Sequence, residues 1–88
     1  AEVTISDAEN AYACSELLSF ARMSSRDSLV GEAEKFRRYA SGDFSGASPR
    51  ELARRSELRG GIYLFLYQAA DDAAKNRPGI ATAHGNPP

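Results

Sequence analysis

Gly60-Gly61-Ile62-Tyr63-Leu64-Phe65-Leu66-Tyr67-Gln68-Ala69-Ala70 is the stretch on which the fold turns. A short apolar run fits a buried strand as well as a buried helix. Its surroundings favour the helix. The one other strand-like segment is Val3-Thr4-Ile5, and a lone two-stranded pairing is marginal in water. Helical spacing also extends beyond the run. Leu58, Ile62, Phe65, Leu66, Ala69 and Ala73 make one stripe, the expected core face. Tyr63, Tyr67, Ala70 and Ala74 make a second. A helix apolar on two sides is either covered by its own domain or packed against another chain. Tyrosine offers large area with a polar tip, and alanine lets a facing helix come close. The second stripe is therefore a candidate partner interface, for another protein chain or for a homodimer through the last helix.

Upstream, Ser48-Pro49-Arg50-Glu51 carries a strong helix-start signal: serine at the cap, proline first, glutamate three residues after the cap. Leu52, Ala53 and Ser56 share one side of the helix that follows. That side is rotated well away from the Ile62 stripe, and the change falls at Gly60-Gly61, where helices bend or break. The expectation is two helices, 49–59 and 61–76, with a single kinked helix as the alternative. Phe44, in the Gly/Ser loop 43–47, is expected to fold back as an apolar plug.

Two earlier helices complete the fold. Ser6-Asp7-Ala8-Glu9 reads as a capping box opening a helix over 7–24. Ala11, Cys14, Leu17, Leu18 and Ala21 form its expected core stripe, with Ala13, Phe20 and Met23 as a weaker one. A helix over 27–41 starts at Asp27, buries Leu29, Ala33, Phe36 and Ala40, pairs Glu34 with Arg38 and stops at Gly42. The fold class is all-α: three to four helices in a small bundle or orthogonal array. Residues 1–76 form a single helical domain, and 77–88 an extended Pro/Gly-rich tail.

Composition narrows the function. The chain has 88 residues, 11 Lys+Arg against 12 Asp+Glu, and 42% hydrophobic residues. There is no basic excess for binding nucleic acid through phosphates alone. No run approaches the ~20 apolar residues of a membrane span. A single cysteine makes neither an intramolecular disulfide nor a cysteine zinc site. Cys14 reads as a small buried hydrophobe, and His84 as a solvated tail residue. Asp71 and Asp72 point about 100° apart on a helix, as Glu32 and Glu34 diverge, so neither couple is an acid/base site. Gly60-Gly61 lacks the spacing and lysine of a phosphate loop. No catalytic residue, metal or cofactor is expected. The start Ala1-Glu2-Val3 fits a processed exported protein and a cytoplasmic one equally.

Arg50, Arg54, Arg55 and Arg59 stand within one short segment, beside Arg37 and Arg38. They are a candidate patch for an anion or an acidic partner. A solvated face, with Glu51 paired to Arg55, is the simpler alternative. Glu51-Leu52-Ala53-Arg54-Arg55-Ser56, then Arg59-Gly60-Gly61-Ile62-Tyr63, resembles the helix-turn-helix of tetracycline-repressor-type bacterial regulators. The resemblance implies DNA binding by the second helix. It departs from that pattern at Glu57, where the tight turn carries glycine, and at Ile62–Tyr67, which is apolar where DNA would be read.

The leading expectation is a non-catalytic protein-interaction module: an accessory subunit, or an inhibitor or immunity-type binding protein. A small DNA-binding regulator using the Arg-rich third helix is the alternative. An exported helical stress protein or chaperone is a further one.

Overall fold

Serine hydroxyls set the helix starts. In the computed structural model, which describes residues 6–77, Ser6 Oγ accepts the Glu9 N–H at 3.1 Å and Glu9 Oε1 accepts the Ser6 N–H at 3.1 Å. This capping box opens α1, Asp7–Arg22. Ser25, rather than Asp27, caps α2, Arg26–Ala40, by accepting the Ser28 N–H at 3.3 Å. Asp27 lies inside the first turn, where its charge still favours the helix start. The end of α2 is a Schellman turn. Gly42 takes φ +93°, and the Gly42 and Asp43 amides donate back to the carbonyls of Tyr39 and Arg38.

The Ser48/Glu51 capping box opens α3, Pro49–Arg54, which is shorter than expected. Its end is closed by the Glu57 N–H donating to the Arg54 carbonyl. A new helix, α4, runs over Gly60–Lys75. The break is complete, so 49–76 is two helices and not one kinked rod. The chain is all-helical among the described residues, with four helices forming a small bundle.

The core sits chiefly between α2 and α4, the most extensive helix pair. Leu29, Ala33, Phe36 and Tyr39 of α2 meet Ile62, Tyr63, Leu66, Ala70 and Ala74 of α4, all buried. Ala40, Leu58, Ala69 and Ala73 are partly buried around them. Phe44 is the plug expected of it: it stacks on Tyr39 with ring centres 4.6 Å apart and meets Tyr63 edge-on. The Tyr39 hydroxyl donates to Glu51 Oε1 at 2.9 Å, tying α3 to this aromatic cluster.

Two expectations about packing are corrected. First, Ala11, Cys14, Leu17, Leu18 and Ala21 are exposed, and α1 instead buries Glu9, Tyr12 and Phe20. Tyr12 meets Tyr63, and Phe20 meets Phe36, both edge-on. Two aromatic rings outweigh a stripe of alanine, cysteine and leucine, since each buries roughly 150–250 Å². Second, Phe65 is half-exposed although it belongs to the expected core stripe. The short α3 has no buried residue, and Leu52, Ala53 and Ser56 are exposed.

Local pairings also differ. Glu34 binds Arg37, not Arg38, accepting from Arg37 Nε and Nη2 at 3.2 and 3.1 Å. Glu51 pairs with Lys35, and Lys75 with Asp71. Two arginines hold the helix ends. Arg26 Nε donates to the carbonyls of Ala74 and Arg77 at the end of α4. Arg77 Nε donates to the Met23 carbonyl at the end of α1, at 3.0 Å. Each places a cation where unpaired carbonyls and the negative helix end favour it. Val3-Thr4-Ile5, the tail beyond Arg77 and His84 lie outside the described residues.

Candidate interaction face

α1 and α4 touch less extensively than α2 and α4, and a groove opens between them. Its volume is about 650 Å³. Asn10, Ala13, Cys14 and Leu17 line it from α1. Gly61, Ile62 and Phe65 line it from α4, and Arg59 lies at the α4 entrance. Most of these side chains are apolar. The volume falls within the roughly 300–1,000 Å³ typical of ligand-sized clefts. Leu17 is 37% exposed, Phe65 47% and the neighbouring Leu18 57%. The groove exists because the aromatic face of α1 turned inward and carried the Cys14/Leu17 stripe outward.

Glu9 holds Arg59, one of the groove's lining residues. Its carboxylate bridges the start of α1 to the start of α4. Oε2 accepts the Arg59 backbone N–H at 3.0 Å and Arg59 Nε at 2.9 Å. The Arg59 guanidinium, with the amides of Ser6 and Arg59, lowers the Glu9 carboxyl from 4.5 to about 2. Glu9 is therefore a buried strut that is ionised at neutral pH. Arg59 itself supplies no side-chain cap to α4, and the first turn of α4 contains no acidic residue.

A second, smaller and more polar hollow, about 340 Å³, lies between α1 and α3. Ala11, Tyr12, Ser15, Glu16, Arg50, Glu51 and Arg54 line it. Two carboxylates face two arginines there, so it has no net charge. Burial raises the Glu16 carboxyl above its ordinary value, partly offset by Lys35. Burial likewise pushes the Tyr12, Tyr39 and Tyr63 phenols upward. For Tyr39 the hydrogen bond to Glu51 adds to the effect. These tyrosines remain neutral at ordinary pH.

The residues singled out in the sequence separate into different surroundings. Tyr63, Ala70 and Ala74 belong to the chain's own core, and Tyr67 is half-buried at its edge. The alternative that neighbouring helices cover both sides of the last helix describes them. The four arginines do not make one patch. The Arg54 guanidinium lies 5.5 Å from the Tyr12 ring centre, and that of Arg55 lies 5.0 Å from the Phe44 ring centre. Arg59 binds Glu9, and Arg50 is exposed on α3. Cys14 is exposed on the groove wall and not buried. In the helix-turn-helix resemblance α4 would read DNA, yet Ile62, Tyr63 and Leu66 are buried and Leu64 and Phe65 are apolar.

No group of side chains suited to hold a metal ion occurs among the described residues. No helix there is long and apolar enough to cross a membrane. The buried side-chain polar atoms among them all have hydrogen-bond partners. No protein-family model, curated protein or solved structure matches the chain.

Sequence reasoning missed the groove because it assigned the α1 stripe to the core. A usable signal was present. Tyr12 and Phe20, eight residues apart, with Met23 between them in angle, define an aromatic face opposite the aliphatic one.

Proposed function

We propose that this chain is a non-catalytic protein-interaction module that presents the α1/α4 groove to a partner, as an accessory subunit or an inhibitor. The observation that carries this reading is the outward stripe of Cys14, Leu17 and Leu18 beside half-exposed Phe65. Large apolar side chains gathered at one concave seam cost solvation in isolation and gain it on docking. A partner that buried them would recover about 25 cal/mol per Å² of apolar area.

The test is a native pull-down read by mass spectrometry, with three baits. Wild type and Arg50→Ser, altered far from the groove, retain the same stoichiometric partner. Leu17→Glu, on the groove wall, loses it while its circular dichroism stays helical. No stoichiometric partner, or a partner indifferent to Leu17→Glu, would sink the proposal.

A further inference from the structure

We infer that residues 48–57, which comprise α3 and the turn after it, form a strap that opens as a unit while α1, α2 and α4 stay packed, and that the hydrogen bond from Tyr39 to Glu51 is its latch. The inference goes beyond the groove reading, because it concerns α3 and needs no partner.

α3 is built in reverse of a core helix. Its one large aliphatic side chain, Leu52, is 42% exposed. The only half-buried residues of the strap are Glu51 and Arg54, and both are charged. No residue of the strap is buried, and α3 packs extensively against no other helix among the described residues. Local opening costs least where few apolar contacts must break. Both flanks, in contrast, are fixed. Upstream, Phe44 and Ala47 pack against the core, and Gly46, at φ +79°, turns the chain between them. Downstream, Leu58 packs against the core, and Glu9 holds the Arg59 N–H and Nε. The strap is tethered at both ends by contacts that its own opening leaves intact.

Charged and polar contacts close it. The Tyr39 hydroxyl donates to Glu51 Oε1 at 2.9 Å. Lys35 Nζ stands 3.6 Å from Glu51 Oε2, but it lies closer to Glu32, at 3.1 Å. The Arg54 and Arg55 guanidinium groups rest over the Tyr12 and Phe44 rings. Cation–π contacts made by partly exposed side chains are individually weak. The bond from the buried Tyr39 to an ionised carboxylate is therefore the strongest single tie. The Ser48/Glu51 capping box lies within the strap, so it keeps α3 helical without attaching it to the bundle. Opening uncovers the Tyr39 hydroxyl and the two rings on which the guanidinium groups now rest.

Trypsin under native conditions reads the opening. Arg54 and Arg55 are cleavage sites inside the strap, and Arg37 is an exposed one in the packed α2. Fragment masses separate the cuts. Cleavage after Arg54 and Arg55 is faster than after Arg37 and nearly independent of urea below the unfolding transition, whereas cleavage after Arg37 rises with urea as global unfolding does. Tyr39→Phe keeps the ring and the α3 capping box, and it speeds the strap cuts about tenfold. Ile62→Val, a mild change at a buried position, speeds cleavage after Arg37 severalfold and leaves the strap cuts unchanged. Strap cuts with the urea dependence of the Arg37 cut overturn the separate opening, and so do strap cuts that Ile62→Val speeds equally. Strap cuts indifferent to Tyr39→Phe overturn the latch.

Discussion

Helices α1 and α2 are almost equal in length, yet they meet α4 in opposite ways. α2 carries one apolar stripe, and all of it is used. Leu29 and Phe36 are fully buried, and the opposite face is charged. α1 carries two stripes and can bury only one. The aromatic stripe goes in, and the aliphatic one stays out. A helix with a single stripe belongs wholly to its own core. A helix with two is left with a surface for something else. The molecule thus divides into a sealed α2–α4 half and an open α1–α4 seam.

The largest expected effect lies in the sealed half. Phe36 is fully buried and meets Phe20, Tyr39 and Tyr63. Phe36→Ala should cost about 3–5 kcal/mol by urea denaturation. A domain this small has little more than that in total, so the variant should be largely unfolded at room temperature. A folded Phe36→Ala variant would break the contrast by showing that α2 is not the anchor.

How far this division was legible depended on how many answers each segment offered. The buried face of α2, the Phe44 plug and the Ser6 and Ser48 capping boxes each had one physical solution, and it was legible in the sequence. The rotation of α1 had two. What settles it is distant: Tyr63 against Tyr12, Phe36 against Phe20, and Arg59 holding Glu9 across 50 residues of chain. Helical spacing carries no information about such partners. For the same reason the spacing alone left open whether the Tyr63/Ala70/Ala74 stripe is covered by its own domain or by a partner, and the packing of α2 covers it. The arginines were visible as a cluster, but Tyr12, which engages Arg54, lies far off in sequence, and the fold of the loop that brings Phe44 to Arg55 is not set by helical spacing.

The next effect tests the strut at the seam. The Glu9 carboxyl titrates at about 2 in the fold, against 4.5 for an ordinary glutamate. Below pH 4.5 the unfolded chain takes up this proton while the folded chain does not, so acid favours unfolding. The contribution is complete above that range and is lost as pH falls toward 2. Thermal melts of wild type should lose stability steeply over that interval. Glu9→Gln should be less stable at neutral pH and should show a shallower acid slope. Equal acid slopes would mean that Glu9 does not hold the seam.

A smaller effect discriminates between two cap residues at the start of α2. Ser25→Ala removes the hydroxyl that accepts the Ser28 amide and should cost about 1 kcal/mol. Asp27→Ala removes only a first-turn charge and should cost about 0.3–1 kcal/mol, less in high salt. The reverse order would put the cap at Asp27.

The smallest expected change is at Leu18, and it tests the open half most directly. Leu18 is 57% exposed on the outward stripe of α1. Had that stripe been core, Leu18→Ser would cost as much as a buried leucine, about 2–5 kcal/mol. On an exposed face it should change stability by less than about 0.5 kcal/mol. Serine is also a poorer helix former than leucine, so the residual cost belongs to the helix and not to packing. Leu18→Ala separates the two contributions, because alanine removes the side chain while favouring the helix. It should be neutral or slightly stabilising. A side chain with so little part in the monomer's stability is apolar at a cost in solvation, and that cost is removed only where another surface covers the stripe.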